Sequence, residues 1–474
     1  MNSNNKLSSS QTPIDVISEG MFRRLFAENL VLSPQMNEVY ELALAYYESK
    51  ILSEEALVDN GAYFIRVGDR MTRHYLMCTG EPLLLPKHSS SRLKSFFEKN
   101  QFRTGYATHG LFPYRGKFHP QMIKALINVM GLKPGDTILD PMMGSGTVPI
   151  EASLMGIQSI GIDASPFCRF MTQVKYNALR LPRKPLDAAL ENVGRLFELF
   201  SQNAGIPDSG SKIRNGSWKT EFAIHESIAA FKSTMMQQLS DLVGAVHPDA
   251  FDFLLLAYLD GVGYSERSQR KSPFDQFRAI LERYIFVVKK IQHVLEGSES
   301  ILAEADIRQG DARSLGIQNE HVDGILFSPP YSFAIDYLAN DLFHLNVMGE
   351  NIDLLRGKMV GLRGKTVKEK YALYIEDMNK VLYECARVLK PDRFCTIIIG
   401  TNDNQLSKAL ETPKEEVTGL HKIVIDIAQT HRFSHVRTLA RQISGIANTM
   451  RNEYIVILCK GNAGRGSDQV NTLK

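Results

Sequence analysis

Four consecutive residues, Ser328-Pro329-Pro330-Tyr331, combine the groups needed to seat an aromatic amine and expose its nitrogen lone pair. They follow the apolar run 322–327, which reads as a buried strand. Two successive prolines stop that strand and hold the loop extended, with few accessible conformations. Prolines lack N–H groups, so the loop carbonyls stay free to accept hydrogen bonds. The exocyclic amine of a nucleobase has two N–H donors and a lone pair delocalised into the ring. Accepting from those donors pulls the nitrogen toward tetrahedral geometry and localises the pair for attack. The Ser328 hydroxyl is a further acceptor. The ring of Tyr331 offers a face on which a base turned out of its helix can stack.

A second set of residues suits a nucleoside cofactor. Asp140-Pro141-Met142-Met143-Gly144-Ser145-Gly146-Thr147 lies between a short strand, 137–140, and a helix expected over 148–155. In doubly wound sheets this first βα turn sits at the carboxyl edge, where ligands bind. Gly144 and Gly146 let the backbone bend tightly and approach a ligand. Asp140 ends the strand, where a carboxylate can meet a cationic ammonium. The turn is not G-x-G-x-x-G and lacks the lysine of a phosphate-binding loop. Its acidic mouth suits an amino-acid moiety better than a polyphosphate. Asp163 ends the next strand, a place where an acid holds ribose hydroxyls. Gly310-Asp311-Ala312-Arg313 ends a third strand, and Asp311 precedes Ser328 by 17 residues. Its carboxylate can accept from the amino group of an adenine.

These residues require a parallel sheet to bring them to one edge. The pattern supplies a helix at 122–130, a turn at 133–136, the strand 137–140, the helix 148–155 closed by Gly156, and the strand 159–163. Strand, helix, strand is one right-handed βαβ unit. Alternation then stops. Residues 170–300 read as helical, with apolar spacing over 188–200, 224–243, 251–259 and 274–295. Strands resume at 307–311 and 322–327, followed by a helix at 371–389 and a strand at 394–399. Two late strands, 436–441 and 454–459, suit an antiparallel pair at one sheet edge. Residues 15–104 read as mainly helical, and 1–14 and 461–474 as disordered tails. The expected organisation is α/β: a domain over 105–180 and 300–460, interrupted by a helical insertion at 181–299 and preceded by a helical N-terminal region.

With 474 residues, 44% of them hydrophobic, the chain can bury a large core without disulfides. Cys78, Cys168, Cys385, Cys395 and Cys459 form no Cys-x-x-Cys pair. This argues against a disulfide framework and a structural zinc site, and no metal is expected. The polar start lacks the apolar stretch of a signal peptide, and no run approaches the roughly 18 apolar residues of a membrane span. A cytoplasmic location is expected. The net charge of +3 is too small to identify a nucleic-acid partner by itself. Two local clusters carry that expectation instead. One is Arg356, Lys358, Arg363, Lys365, Lys368 and Lys370, just after the catalytic candidate. The other is Arg267, Arg270 and Lys271, in the insertion.

Taken together, these motifs resemble the amino-methyltransferase superfamily, with its cofactor motif D-P-F-x-G-S-G-T and its catalytic x-P-P-Y. A serine before the prolines is typical of the cytosine-N4 DNA methyltransferases, and Asp or Asn of adenine-N6 enzymes. The upstream segment 109–120, His-Gly-Leu-Phe-Pro-Tyr-Arg-Gly-Lys-Phe-His-Pro, resembles the family element H-x-Y-P-A-K-F-x-P. That element closes over the methionine part of the cofactor, which points to Phe118. Arg115-Gly116 replaces Pro-Ala, and Met142-Met143 replaces Phe-x. The resemblance implies a Rossmann-like seven-stranded sheet with one reversed edge strand and S-adenosylmethionine as cofactor. Phe118, Asp140, Pro141, Met142, Gly144, Ser145, Gly146, Thr147, Asp163, Asp311 and Ala312 would bind it, and Ser328 to Tyr331 would carry catalysis. It further implies site-specific methylation of cytosine N4 in DNA, with a restriction endonuclease as a system partner. The sequence lacks the Pro-Cys pair of carbon-5 cytosine enzymes. The insertion precedes Asp311 rather than following it, which departs from the simplest DNA methyltransferases; it is the expected target-recognition region. A tRNA guanine-N2 methyltransferase is the nearest alternative, though it normally has Asp before the prolines. Adenine-N6 methylation and a non-catalytic nucleic-acid-binding module are the others.

Overall fold

The computed structural model describes residues 24–34, 36, 38–80, 83, 85, 91, 94, 105–114, 116–203, 228–244, 247–267, 272–296, 302–330, 336–442 and 452–461. The expected tails (Gly461 apart), Tyr331, Arg270 and Lys271 lie outside them, as does the side chain of Arg267.

The N-terminal region holds β1 (Leu30–Leu32), α1 (Val39–Ile51), α2 (Glu54–Asn60), β2 (Phe64–Val67), β3 (Arg70–Met71) and α3 (Arg73–Cys78). Beside its helices it thus carries a small antiparallel sheet in the order β1-β2-β3, which the helical spacing did not announce. The part that builds the larger sheet begins with α4 (Pro120–Val129), β4 (Thr137–Asp140), α5 (Thr147–Leu154), β5 (Gln158–Asp163) and α6 (Pro166–Asn177). Five insertion helices follow: α7 (Arg183–Glu191), α8 (Val193–Asn203), α9 (Ile228–Val243), α10 (Pro248–Arg267) and α11 (Pro273–Glu296). The chain then returns through β6 (Ala305–Gln309), β7 (Val322–Phe327), α12 (Tyr337–Val347), α13 (Ile352–Lys358), α14 (Val367–Val388) and β8 (Leu389–Gly400). It ends with α15 (Asp403–Leu410), α16 (Leu420–Thr430), β9 (Phe433–Gln442) and β10 (Asn452–Lys460).

Seven strands form one sheet in the order β6-β5-β4-β7-β8-β10-β9. The neighbours from β6 to β8 are parallel, and β10 is antiparallel to both β8 and β9. The late pair is therefore as expected, but the reversed strand is β10, one position in from the edge that β9 forms. This is the Rossmann-like α/β sheet anticipated above.

Side chains alternate across the sheet with period two. Ile138, Leu326, Ile398, Ile455 and Ile457 pack with α4 and α1 on one face. Leu139, Ile325, Phe327, Ile397, Ile399, Val456 and Leu458 pack with α14 and α16 on the other. Burial on both faces explains why these strands read as continuous apolar runs. The insertion shares a third core with the elements around the larger sheet. Leu254, Leu281 and Ile285 cluster with Phe167 and Met171 of α6 and Leu338 and Leu345 of α12. His344 of α12 stacks on Phe167 with ring centroids 4.5 Å apart, and Phe112 meets it edge-on at 4.9 Å. The described insertion helices thus buttress α12, the helix that follows the Ser328-Pro329-Pro330 segment.

Candidate active site

The register sets the ends of β4 and β5 beside each other. Asp140 pairs with Gly161, two residues short of Asp163, and Asp163 pairs with Gln309 of β6. The turn after β4 folds back on β5: the Met143 amide donates to the Ile162 carbonyl at 2.9 Å, and Gly146 to Met143 at 2.8 Å. Gly146 opens α5 at φ +76° and lies tight against α6. A Cβ there would stand 2.4 Å from Thr172 Cγ2, so both conformation and space demand glycine.

The two strand-end acids anchor this turn. Asp163 Oδ2 accepts from the Gly144 amide at 2.9 Å, and Oδ1 from Ser165 at 2.8 Å. Burial pushes the Asp163 carboxyl above its usual value despite these bonds. Asp140 is fully buried. Its Oδ1 accepts from the Met142 amide at 3.1 Å, and its Oδ2 has no hydrogen-bond partner. Burial, with Asp163 adding to it, pushes the Asp140 carboxyl well above the carboxylate range. A buried acceptor without a donor is costly, and a cationic ligand group nearby would offset that cost.

Above the turn opens a cavity of about 860 Å³, counting its mouth. Phe118, Pro141, Met142, Gly144, Ser145, Thr147, Asp163, Asp311 and Ala312 all line it, and so do Ser328, Pro329 and Pro330. Both motifs, 188 residues apart from Asp140 to Ser328, therefore share one cavity. Asp140 and Gly146 support the turn from beneath and are not among the lining residues. Tyr114, Gly116, Lys117, Met143, Ala164, Lys358, Met359 and Val360 also line it. Of these, Lys358 had been read as a phosphate ligand. Tyr114, Gly116 and Lys117 belong to the 109–120 element, whose family likeness singled out only Phe118. Burial, with the Arg283 charge nearby, pushes the Lys117 ammonium down to about 8. Met359 and Val360 carried no sequence signal.

Asp311 stands at the rim under the grip of Arg313. The guanidinium donates from Nε to Oδ1 at 2.9 Å and from Nη2 to Oδ2 at 2.7 Å. Burial works to raise the Asp311 carboxyl, but Arg313 outweighs it and holds it below its usual value. Arg313 also donates to the Lys358 carbonyl at 2.7 Å and pairs with buried Asp377 at 2.8 Å. Arg363 reaches the same Asp377 oxygen at 2.5 Å. The two arginines thereby hold the 358–363 segment beside the cavity.

Half of the basic residues at 356–370 are thus committed within the molecule. Arg363 serves Asp377, Arg356 pairs with Asp336 at 2.8 Å, and Lys368 with Glu411 at 3.1 Å. Lys365 is exposed, and its amide donates to Glu369. At the catalytic loop, Pro329 is buried, and the Ser328 hydroxyl lies 3.5 Å from the Pro329 carbonyl.

Residues 111–221 match the family described as "RMKL-like, methyltransferase domain". The type II methyltransferase M.MjaII of Methanocaldococcus jannaschii is 44% identical over 97 residues, 20% of this chain and 18% of that protein. The type II methyltransferase M.BsoBI of Geobacillus stearothermophilus is 34% identical over 93 residues, again 20% and 18%. A tRNA (guanine(10)-N2)-dimethyltransferase of Methanothermobacter thermautotrophicus is 36% identical over 73 residues, 15% of this chain and 22% of that protein. These matches span less than a quarter of each relative. With the sheet order, they identify a Rossmann-like methyltransferase fold, whose cofactor is S-adenosylmethionine.

Proposed function

We propose that this chain methylates the exocyclic N4 amine of cytosine in DNA, at a specific site, from S-adenosylmethionine. One observation carries the reading: the acidic cofactor turn and the Ser328-Pro329-Pro330 segment line the same cavity. S-adenosylmethionine supplies an electrophilic methyl group on its sulfonium. Asp163 would accept from the ribose hydroxyls and Asp311 from the adenine amine, with Phe118, Met142 and Ala312 as apolar walls. The buried carboxyl of Asp140 suits the ammonium end. Carbonyls of the 328–330 segment would accept from the amine, leaving its lone pair directed at the methyl group, while Tyr331 stacks on the base. Catalysis then rests on positioning and on fixed dipoles.

Ser328 supports cytosine over adenine, and the type II methyltransferase relatives support DNA. The tRNA relative supports a second reading, guanine N2 in tRNA. Incubation with labelled S-adenosylmethionine and either plasmid DNA or bulk tRNA, followed by nucleoside mass spectrometry, separates the two. N4-methylcytosine in DNA is expected. Label confined to tRNA would sink the DNA reading, and N6-methyladenine would sink the cytosine assignment. Tyr331→Ala should abolish transfer while sparing cofactor affinity. No helix among the described residues is long and apolar enough to cross a membrane.

A further inference from the structure

Below the cofactor turn, one carboxylate gathers partners from both flanks of the segment that covers the cavity. Glu151 sits on α5, the helix that starts in the turn, and is fully buried. Its Oε1 accepts from the Tyr106 hydroxyl at 2.6 Å and lies 2.6 Å from His109 Nε2. The Lys124 ammonium stands 3.5 Å from its Oε2. Tyr106, His109 and Lys124 are themselves at most 1% exposed. Tyr106 and His109 precede residues 110–119, and Lys124 follows them on α4. Lys117 ties the middle back, donating to the His109 carbonyl at 3.0 Å.

We infer that Glu151 is a positioning residue: it staples both ends of the 110–119 segment to the cofactor helix and so sets Tyr114, Lys117 and Phe118 over the cavity. Two buried hydrogen-bonding side chains and one buried ammonium converging on one carboxylate are more than packing of α5 requires. A fold that needed only an apolar contact would place an aliphatic residue there, at no desolvation cost. Burial would raise the Glu151 carboxyl, but the Lys124 charge outweighs it, with help from the His109 and Tyr106 bonds, and holds it at about 2. Burial keeps the His109 ring below its usual value, so near neutral pH it is a neutral donor. The charge balance is therefore one carboxylate against one ammonium. The inference rests on reading the cavity as the cofactor site only for its consequence; the stapling stands on the distances.

The molecule contains its own reporter. Cys168 is buried, and its thiol lies 3.4 Å from the hydroxyl of Tyr114 in the covering segment. Cys385 on α14 and Cys395 on β8 are buried elsewhere, in the core between them. The full chain is treated with N-ethylmaleimide without cofactor, and labelling is followed thiol by thiol by peptide mass spectrometry. In Tyr106→Phe, which removes one hydroxyl and little volume, Cys168 should label about tenfold faster, the size expected for losing a buried hydrogen bond to a charge. Glu151→Gln should exceed this. Cys385 and Cys395 should keep their wild-type rates in both. Cys168 unchanged in Tyr106→Phe, or all three thiols accelerating together, overturns the inference, because the second pattern is general destabilisation. Calorimetry with S-adenosylhomocysteine then reads the consequence, with affinity expected to fall in parallel. If the wild-type chain binds none, the cofactor reading fails while the labelling result still decides the staple.

Discussion

Two sets of charged residues stood out by type and spacing, and they have different fates. The acids at the ends of β4, β5 and β6 sit at or directly beneath one cavity. Three of the six bases at 356–370, Arg356, Arg363 and Lys368, are drawn into ion pairs within the chain. A strand-end residue has little choice of place. Parallel strands joined by right-handed crossovers bring all their carboxyl ends to one edge. A base on a helix or loop can meet whichever acid the tertiary fold offers. Arg363 finds Asp377 on the next helix, and Lys368 finds Glu411, 43 residues away. Position in a sheet is thus a stronger guide to function than local charge density.

Removing a strand-end acid should have the largest effect. Asp163 lines the cavity and fixes the turn through Gly144 and Ser165. Asp163→Ala loses those two bonds and the proposed ribose acceptor together. Its affinity for S-adenosylhomocysteine by calorimetry should fall at least about 100-fold, from bonds to a charged group at about 1.5–3 kcal/mol each. Near wild-type affinity would break the comparison at its firmer end. Next comes Arg363. If it serves Asp377, Arg363→Gln should lower stability by about 2 kcal/mol in urea unfolding, since a buried carboxylate loses one of two partners. The salt dependence of DNA binding should not change. A lowered salt slope with unchanged stability would return Arg363 to the phosphate-binding set.

A third carboxylate tests how far burial rather than pairing controls an acid here. Glu48 of α1 is fully buried, and its Oε1 accepts from the Ala62 amide at 3.0 Å and from Asn128 at 2.7 Å. Burial outweighs those bonds and pushes its carboxyl from 4.5 up to about 7. An acid raised on folding binds its proton more tightly in the folded state. Its contribution is complete below the unfolded value, declines as pH rises from 4.5 toward 7, and is level above. Between pH 5 and pH 8 the wild-type chain should lose about 2 kcal/mol from this group. Glu48→Gln keeps the acceptor and removes the titration. Urea midpoints should show a variant advantage at pH 8 that shrinks toward pH 5. Equal advantage at both would mean Glu48 is charged throughout.

Much of the site was legible because its signals were local. The strands 137–140 and 322–327 emerged with the observed bounds, since each is an apolar run cut off by a turn or by prolines. The Gly146 requirement follows from its φ and from Thr172, and only the first could be guessed from the turn. Met359 and Val360 stayed hidden because their place depends on the Arg313–Asp377–Arg363 links, which join residues 64 and 14 positions apart by tertiary contact. The small β1-β2-β3 sheet was missed for another reason. Its strands are two to four residues long, too short for period-two alternation to stand out against helical spacing nearby. The role of the insertion was also hidden: its apolar faces announced helices, but not that they pack against α6 and α12.

The smallest expected effect sharpens the comparison among the bases themselves. Lys365 differs from Arg363 in being exposed, two residues further along the same loop. If DNA runs over this face, Lys365 neutralises a phosphate and releases its counterions. Lys365→Gln should then reduce the slope of log affinity against log salt by about 0.9 on duplex DNA. Unfolding stability should stay within about 0.5 kcal/mol, because exposed substitutions rarely cost more. The paired variants therefore make a double dissociation: Arg363→Gln moves stability and not the slope, Lys365→Gln the slope and not stability. Should both leave the slope untouched, the nucleic acid does not lie on this face. The 356–370 stretch would then act only as the wall of the cofactor cavity, with recognition carried by another surface.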